Sequence, residues 1–437
     1  MKLSIINMIN KLKYIGLCLL VLSTVNIFAQ NTTNSPYSQF GLGDLKPSLI
    51  AQNIGMGGLA MGIRKPGGYN NINVSNPASY SVINLSSFDI GGTLDIRTLS
   101  KSDLSQRTTN GTLSHLLFAI PVNPKSALSF GLMPYSDLGY QYRTHKVLDT
   151  VKLDQIYSGE GGLSRAHLGY GYQINNNLSL GFNVAFIFGN LKNKQSTEFP
   201  EDPTALSSRN QIEKSVNGFN FQYGIQYIVN PKGKNILTIG YSGSTSSQLK
   251  TNGSLVSFRY TYDVINQSES APIDTILYDP AVTSKMRIPQ THAIGFALER
   301  TNKWLVGADL SFSRWSQFSD GGNNAGLNDS YGIALGGQYT PDITAVSNYF
   351  KLIDYNLGFR FNKTYIKVQG HQINQSAICF GLGMPLPSNR TAFYKINFAA
   401  EWGKRGTLLN NLVRENYLNV RLGFTLNDRW FIKPKYD

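Results

Sequence analysis

Alternate positions of the segment from Leu178 to Gly189 fall into two chemically distinct sets. Leu178, Leu180, Phe182, Val184, Phe186 and Phe188 share one side, while Ser179, Gly181, Asn183, Ala185, Ile187 and Gly189 share the other. The period of two returns from Phe219 to Tyr227, where Phe219, Phe221, Tyr223, Ile225 and Tyr227 oppose Asn220, Gln222, Gly224 and Gln226. It holds again from Ala166 to Ile174, with His167 and Gln173 on the polar side. A soluble sheet that buries one face puts charge on the other, because that face meets water. Here the second face is small, glycine-rich and mildly polar, and the apolar face is large and aromatic. Such strands are apolar outward and polar inward, the pattern of a transmembrane β-barrel.

Extending this reading predicts strands near 86–99, 111–122, 126–140, 162–174, 178–190, 214–229, 235–248, 286–299, 303–314, 330–340, 352–362, 375–386, 391–403 and 416–427. Short connections containing Asn123-Pro-Lys, Asn175-Asn-Asn, Asn230-Pro-Lys-Gly-Lys, Thr301-Asn, Pro387-Ser-Asn and Thr340-Pro-Asp carry the residues that close hairpins. Between them lie expected long loops near 100–110, 141–161, 191–213, 249–285, 315–329, 363–374 and 404–415. This alternation fits an all-β, antiparallel barrel of about 14 strands, with short turns in the periplasm and long loops outside. Both termini are then expected on the periplasmic side.

Composition agrees with a barrel. Charged residues make up 15% of the chain, against about 25% in soluble proteins. Glycine (42), tyrosine (24) and phenylalanine (23) are abundant, as aromatic girdles and a tight interior require. After Val21 no run of about 20 apolar residues could form a spanning helix. Residues 1–29 read as a signal peptide: Lys2, Lys11 and Lys13, an apolar run from Tyr14 to Val25, then Ile27-Phe-Ala29 before Gln30. Its removal takes the formal net charge from +14 to +11 and leaves Cys379 as the remaining cysteine. An exported chain with neither disulfide nor spanning helix points to a Gram-negative outer membrane, in contact with lipid and lipopolysaccharide. Basic residues are spread through the turns, so no concentrated face suits nucleic acid.

By strand parity Asp89, Asp95, Arg97, Arg165, His167, Asp309, Arg360, Lys395, Glu401 and Arg421 point into the lumen. Outward placement would cost about 2–4 kcal/mol for an Arg or Lys at the bilayer midplane. Residues 30–85 do not alternate. They carry small residues at Gly55, Gly57, Gly58, Ala60 and Gly62, and then Asn76-Pro77-Ala78. Small residues allow close backbone packing, and a fourteen-stranded barrel leaves a lumen for such a segment to plug. The expected division is therefore a signal peptide over 1–29, a hatch over 30–85 and a barrel over 86–437.

The Gly/Ala-rich stretch, Asn76-Pro77-Ala78 and the strands that follow resemble the long-chain fatty-acid transporter (FadL) family, over residues 30 to about 430. The resemblance implies a fourteen-stranded barrel occluded by an N-terminal hatch, with the Asn-Pro-Ala motif in that hatch. The opening Ser35-Pro-Tyr-Ser-Gln-Phe-Gly-Leu-Gly-Asp-Leu and the closing Asn427-Asp-Arg-Trp-Phe-Ile-Lys resemble a Bacteroidetes branch of the family. The chain departs from the usual barrel ending, with Tyr436-Asp437 in place of a terminal aromatic. The family's ligand-gripping residues have no position-by-position match.

Catalytic and cofactor motifs do not emerge. His115, His145, His167, His292 and His371 lack metal-ligand spacing. Gly55-x-Gly57 lacks the third glycine of a dinucleotide fingerprint, and no serine–histidine pair stands out at the parity of a barrel lipase. No enzyme activity, metal or cofactor is expected. The function expected is passive uptake of a hydrophobic small molecule across the outer membrane; the alternative is a structural or adaptor subunit of an outer-membrane machine for protein secretion or barrel assembly. The second would partner other outer-membrane proteins or lipoproteins. An apolar tunnel from loops to hatch would favour uptake, and a lumen filled by plug and side chains would favour the adaptor.

Overall fold

The computed structural model describes residues 35–430 except 66–68, 203, 264, 265, 267 and 388–391. The expected signal peptide lies outside the described residues. Fourteen antiparallel strands close into a barrel. In chain order they are β1 (Ser86–Lys101), β2 (Leu104–Asn123), β3 (Ser126–Leu148), β4 (Val151–Gln173), β5 (Leu178–Glu198) and β6 (Ser207–Ile228). β7 is interrupted (Ile236–Ser244, Ser247–Tyr260), as is β8 (Asp274–Ile288, Thr291–Arg300). β9 (Trp304–Ser313), β10 (Ser330–Tyr339), β11 (Asp354–Val368), β12 (His371–Pro385), β13 (Phe393–Gly406) and β14 (Arg414–Asp428) complete the ring. Pairing of Ser86 with Asp428 through Ser100 with Arg414 closes it.

The two faces separate as the alternation predicts. Phe182 and Phe221 are 53% and 51% exposed, whereas Ser179, Asn183, Ala185 and Ile187 on the other face are buried. No helix among the described residues is long and apolar enough to span a membrane. The outer surface of the strands is the apolar one, and the barrel is the membrane-spanning element.

The expected long loops are a correction. Three of them are continuous strand closed by two-residue turns, at 102–103, 149–150 and 369–370, and 191–213 shrinks to the connection 199–206. Ser102, Asp149, Gln369 and Gly370 take the positive φ that tight hairpin turns demand. Beyond the lipid band these strands lose their apolar face, as in Arg107-Thr-Thr-Asn-Gly-Thr112. Cross-strand pairing persists there without the alternation that reveals it in sequence.

The N-terminal segment is anchored far from the start of β1. Ser35 Oγ donates to Glu415, one residue into β14, and Ser35 N donates to Gly139 O at 3.0 Å. Asp428 is at the other end of β14. The described chain thus starts at the loop end of the lumen, not at the turn end where β1 begins and β14 finishes. The buried Arg405–Glu415 pair at the loop end takes Ser35 and Asp44 as further partners, which holds the chain there.

The wall itself is not fully paired. β2 and β3 are paired from Asn123–Ser126 up to Leu116–Leu132, and past that point β2 is bonded to β1 alone. On the freed edge of β3, Asp44–Leu45 pairs with Asp137 and Ser136, and Lys46 N donates to Tyr135 O at 2.9 Å. An exposed strand edge leaves unsatisfied backbone groups. The N-terminal segment satisfies part of it in place of β2.

Candidate functional site

The lumen is occupied by the chain from Ser35 to Ile83, none of whose described residues is exposed and most of which are buried. At the loop end, Tyr37 and Leu42 pack among Trp315, Phe318, Leu327 and Tyr365. At the turn end, Ile50, Ile72, Val74, Tyr80 and Ile83 pack on Leu117, Ala119, Ala127 and Met133. Beside them Met56, Leu59 and Ile63 pack on Ala297 and Leu305.

Close approach explains why the inward face is so rich in glycine. A Cβ at Gly240 would lie 1.8 Å from Met61 O, and one at Gly181 would lie 2.3 Å from Pro77 C. Gly171, Gly224, Gly336 and Gly358 repeat this contact around the ring. From the inner side, Gly57 (φ +74°) would place a Cβ 2.6 Å from Leu335 O, and Gly55 meets Gly381. Gly58 also has positive φ (+96°). Backbone lies directly on backbone, and the Gly/Ala composition of both partners permits it.

Asn76-Pro77-Ala78 has a local and a long-range role. Asn76 Oδ1 accepts from Ala78 N at 3.2 Å, capping the 3-10 helix Pro77–Val82 that proline at its first position favours. Its amide donates to Met61 O at 2.9 Å and Ile225 O at 3.3 Å. One side chain thereby ties the helix, the glycine-rich stretch and β6 together.

The ten polar positions chosen from strand parity divide by partner. Asp309 Oδ2 accepts from Ala60 N and Met61 N at 2.7 and 3.0 Å. Arg97 bonds Asp44 at 2.9 Å, and Asp95 bonds Lys46 at 3.3 Å. Arg165 donates to Ser48 Oγ, and Arg421 donates to Leu49 O at 3.1 Å. These five reach the N-terminal segment. Arg360 pairs with Glu401, and Lys395 with Asp354 beneath the Tyr69 ring. Asp89 bonds His115 and Thr425, and His167 sits 3.4 Å from Ser129 Oγ. The residues missed were Arg405, Glu415 and Asp44. The alternation places Arg405 and Glu415 in the loop 404–415, and Asp44 lies in the non-alternating segment.

Burial alone would raise the Asp44 carboxyl, but Arg405, Arg97 and Lys46 outweigh it and hold it well below the usual carboxylate range. Burial lifts the Tyr37 phenol to about 12, with Glu415 adding to the effect.

Between these seals lies a chamber of about 450 Å³. Its lining mixes polar and apolar surface, with Asp44, Lys46, Asp95, Arg97, Arg165 and Arg421 beside Tyr135, Ile288, Trp315 and Tyr365. One cluster departs from the sequence reading. Ser114 Oγ is 2.8 Å from His115 Nδ1, and His115 Nε2 bonds Asp89. A register shift opposite Gly91 and Gly92 places the consecutive Ser114 and His115 together. The cluster is buried and pairs three inward polar groups. Among the described residues no group of three or more His, Cys, Asp or Glu side chains is placed to hold a metal ion.

Comparison with known proteins adds to this geometry. No curated protein matches the chain. The Pseudomonas putida toluene transporter TodX is 13% identical, with 88% of this chain and 99% of that chain covered at a TM-score of 0.56. The Ralstonia pickettii toluene transporter TbuX is 12% identical, covering 87% and 98% at 0.58. A Pseudomonas aeruginosa FadL homologue is 11% identical, covering 89% and 100% at 0.57. At such identity the likeness is one of fold. The sequence itself matches the family model BamG over residues 8–437. With an outer-membrane barrel of FadL-like fold, this chain belongs to the BamG family.

Proposed function

We propose that this protein is a closed outer-membrane barrel acting as a structural or adaptor subunit of an outer-membrane machine, with residues 30–85 as a permanent hatch. The observation that carries this reading is the way the N-terminal segment is locked to the wall. Asp44 bridges Arg97 and Arg405, Asp309 caps two hatch amides, and wall glycines admit hatch backbone around the ring. A gate that opened often would have to break these buried groups apart together, and each loss is costly. The chamber behind the seal carries charged groups beside its apolar lining, and burying those groups against a hydrocarbon would be costly. Short turns would face the periplasm, and the long hairpins of β3–β4 and β7–β8 would stand outside and present docking surface.

A second reading is passive uptake of hydrophobic small molecules, as the toluene transporters of like fold are described. It has its own observation: β2 and β3 part above Leu116 and Leu132, and only the N-terminal segment covers the edge of β3. Purification from native membranes in mild detergent separates the two. The adaptor reading expects stoichiometric outer-membrane partners that survive high salt, and unchanged toluene permeation in proteoliposomes. A monomer that speeds toluene permeation would replace it with the uptake reading.

A further inference from the structure

The turn end of the barrel carries charge of nearly one sign. Lys125, Lys232, Arg300, Lys303, Lys351 and Arg429 are exposed there. Among the described residues Asp342 is the one exposed carboxylate at that end, while Glu299 and Asp428 are half-buried. Lys351 and Lys303 both act on Asp342, so one carboxylate is shared by two cations. The cations stand at separate places round the rim, beside the connections 124–125, 229–235, 301–303 and 340–353 and just past the end of β14. At the loop end exposed cations meet carboxylates instead, as Lys152 meets Glu201 and Arg259 meets Asp274.

The longest of these connections, 340–353, holds an apolar side chain outside. Asp342 Oδ1 accepts from Thr344 N at 3.0 Å, Asp342 N donates to Lys351 O at 2.9 Å, and Asn348 caps the 3-10 helix Tyr349–Lys351. Thr340 N donates to Lys303 O at 2.8 Å, which ties in the neighbouring turn. Despite these ties Phe350 stays 70% exposed. The Tyr355 hydroxyl donates to Phe350 O at 3.0 Å. By strand parity Tyr355 shares a face of β11 with Leu357 and Phe359, both exposed on the outer wall. Phe350 therefore stands on the lipid side of the barrel, where aromatic and basic side chains together mark a membrane interface. We propose that the turn-end rim binds anionic glycerophospholipid of the adjoining leaflet, with 340–353 as its anchor. Phe350 enters the acyl region beside Tyr355, and Lys303 and Lys351 meet the headgroup phosphates, as basic groups at a bilayer surface do. Cations spread round the rim fit a leaflet that surrounds the barrel, whereas an acidic soluble protein would cover one sector.

The test equilibrates the full-length protein in maltoside micelles with equal amounts of phosphatidylglycerol and phosphatidylcholine of the same chain length. Native mass spectrometry then counts the lipid retained. The unaltered protein should retain phosphatidylglycerol preferentially. That preference should fall at least threefold in Lys303→Gln/Lys351→Gln and stay unchanged in the loop-end control Lys146→Gln/Lys152→Gln. No preference in the unaltered protein, or an equal preference in both double variants, overturns the proposal. The anchor has its own readout in Phe350→Cys carrying an NBD fluorophore, with the protein in phosphatidylglycerol-containing vesicles. Quenching by a lipid spin-labelled near its headgroup is expected. Emission that such lipid leaves unquenched would place Phe350 in water, as docking of an acidic soluble protein would require, and would refute the lipid anchor.

Discussion

Arg405 Nη1 lies 2.7 Å from Asp44 Oδ1, and the same side chain places Nε 3.0 Å from Glu415 Oε2. One wall arginine thus joins β13, β14 and the hatch in a single buried cluster. Removing one partner of such a pair strands the other, at about 3–5 kcal/mol. Asp44→Asn should therefore lower the urea midpoint of the refolded barrel. Because Arg405 also holds Glu415, the Asp44→Asn/Arg405→Met double variant should lose less than the two single variants summed. A double-variant loss equal to the sum of the Asp44→Asn and Arg405→Met losses would show that the pair is not coupled.

The same carboxyl sets a pH dependence. Although burial opposes ionisation, Arg405, Arg97 and Lys46 hold the folded Asp44 below its unfolded value. Its contribution is then full above about pH 4, the unfolded carboxylate range, and fades as pH falls further. Protease protection of the hatch should decline below that point in the unaltered protein. In Asp44→Asn the decline should be shallower. Identical pH profiles would remove Asp44 as its source.

The two faces of the wall should respond to charge for different reasons. Phe182→Arg, Phe221→Arg and Phe398→Arg place a cation against acyl chains, at about 2–4 kcal/mol each. Asn183→Arg faces inward, yet Asn183 accepts from the Tyr80 hydroxyl at 3.1 Å and donates to Val74 O at 3.1 Å. It should be as damaging as the outward changes in the full chain and mild once residues 35–80 are deleted. A penalty that survives the deletion would contradict lumen packing as its cause.

Much of the barrel was legible because lipid imposes a strict period of two, as in Phe182, Val184 and Phe186 against Asn183 and Ala185. What escaped lay outside the lipid. From Leu104 to Thr112 both sides of β2 are polar, so strand and loop look alike in sequence. Arg405 and Glu415 were lost for that reason, and Asp44 because its segment has no period at all. The alternation shows the inner face to be glycine-rich, and the structure gives the reason: Met61 and Pro77 backbone stands where a Cβ would go. Parity identified inward residues such as Asp309 and Arg421 while saying nothing of their partners, which come from some 250 or more residues away (249 for Asp309 with Ala60, 372 for Arg421 with Leu49).

Orientation is open to direct measurement. Leu148 sits at the tip of the β3–β4 hairpin and Asn176 in the turn between β4 and β5. Leu148→Cys should react with a membrane-impermeant maleimide on intact cells, and Asn176→Cys should react after the outer membrane is opened. Labelling of both from the same side would be incompatible with an odd number of membrane crossings between them.

The central claim is that the N-terminal segment seals the lumen, and planar-bilayer conductance tests it most directly. Deleting residues 35–80 removes the hatch, its ion pairs and the strand on the edge of β3, but none of the fourteen barrel strands. The intact protein should be nearly silent, and the deletion variant should insert and give a steady ion-conducting pore. Equal conductance of the two proteins would contradict the account.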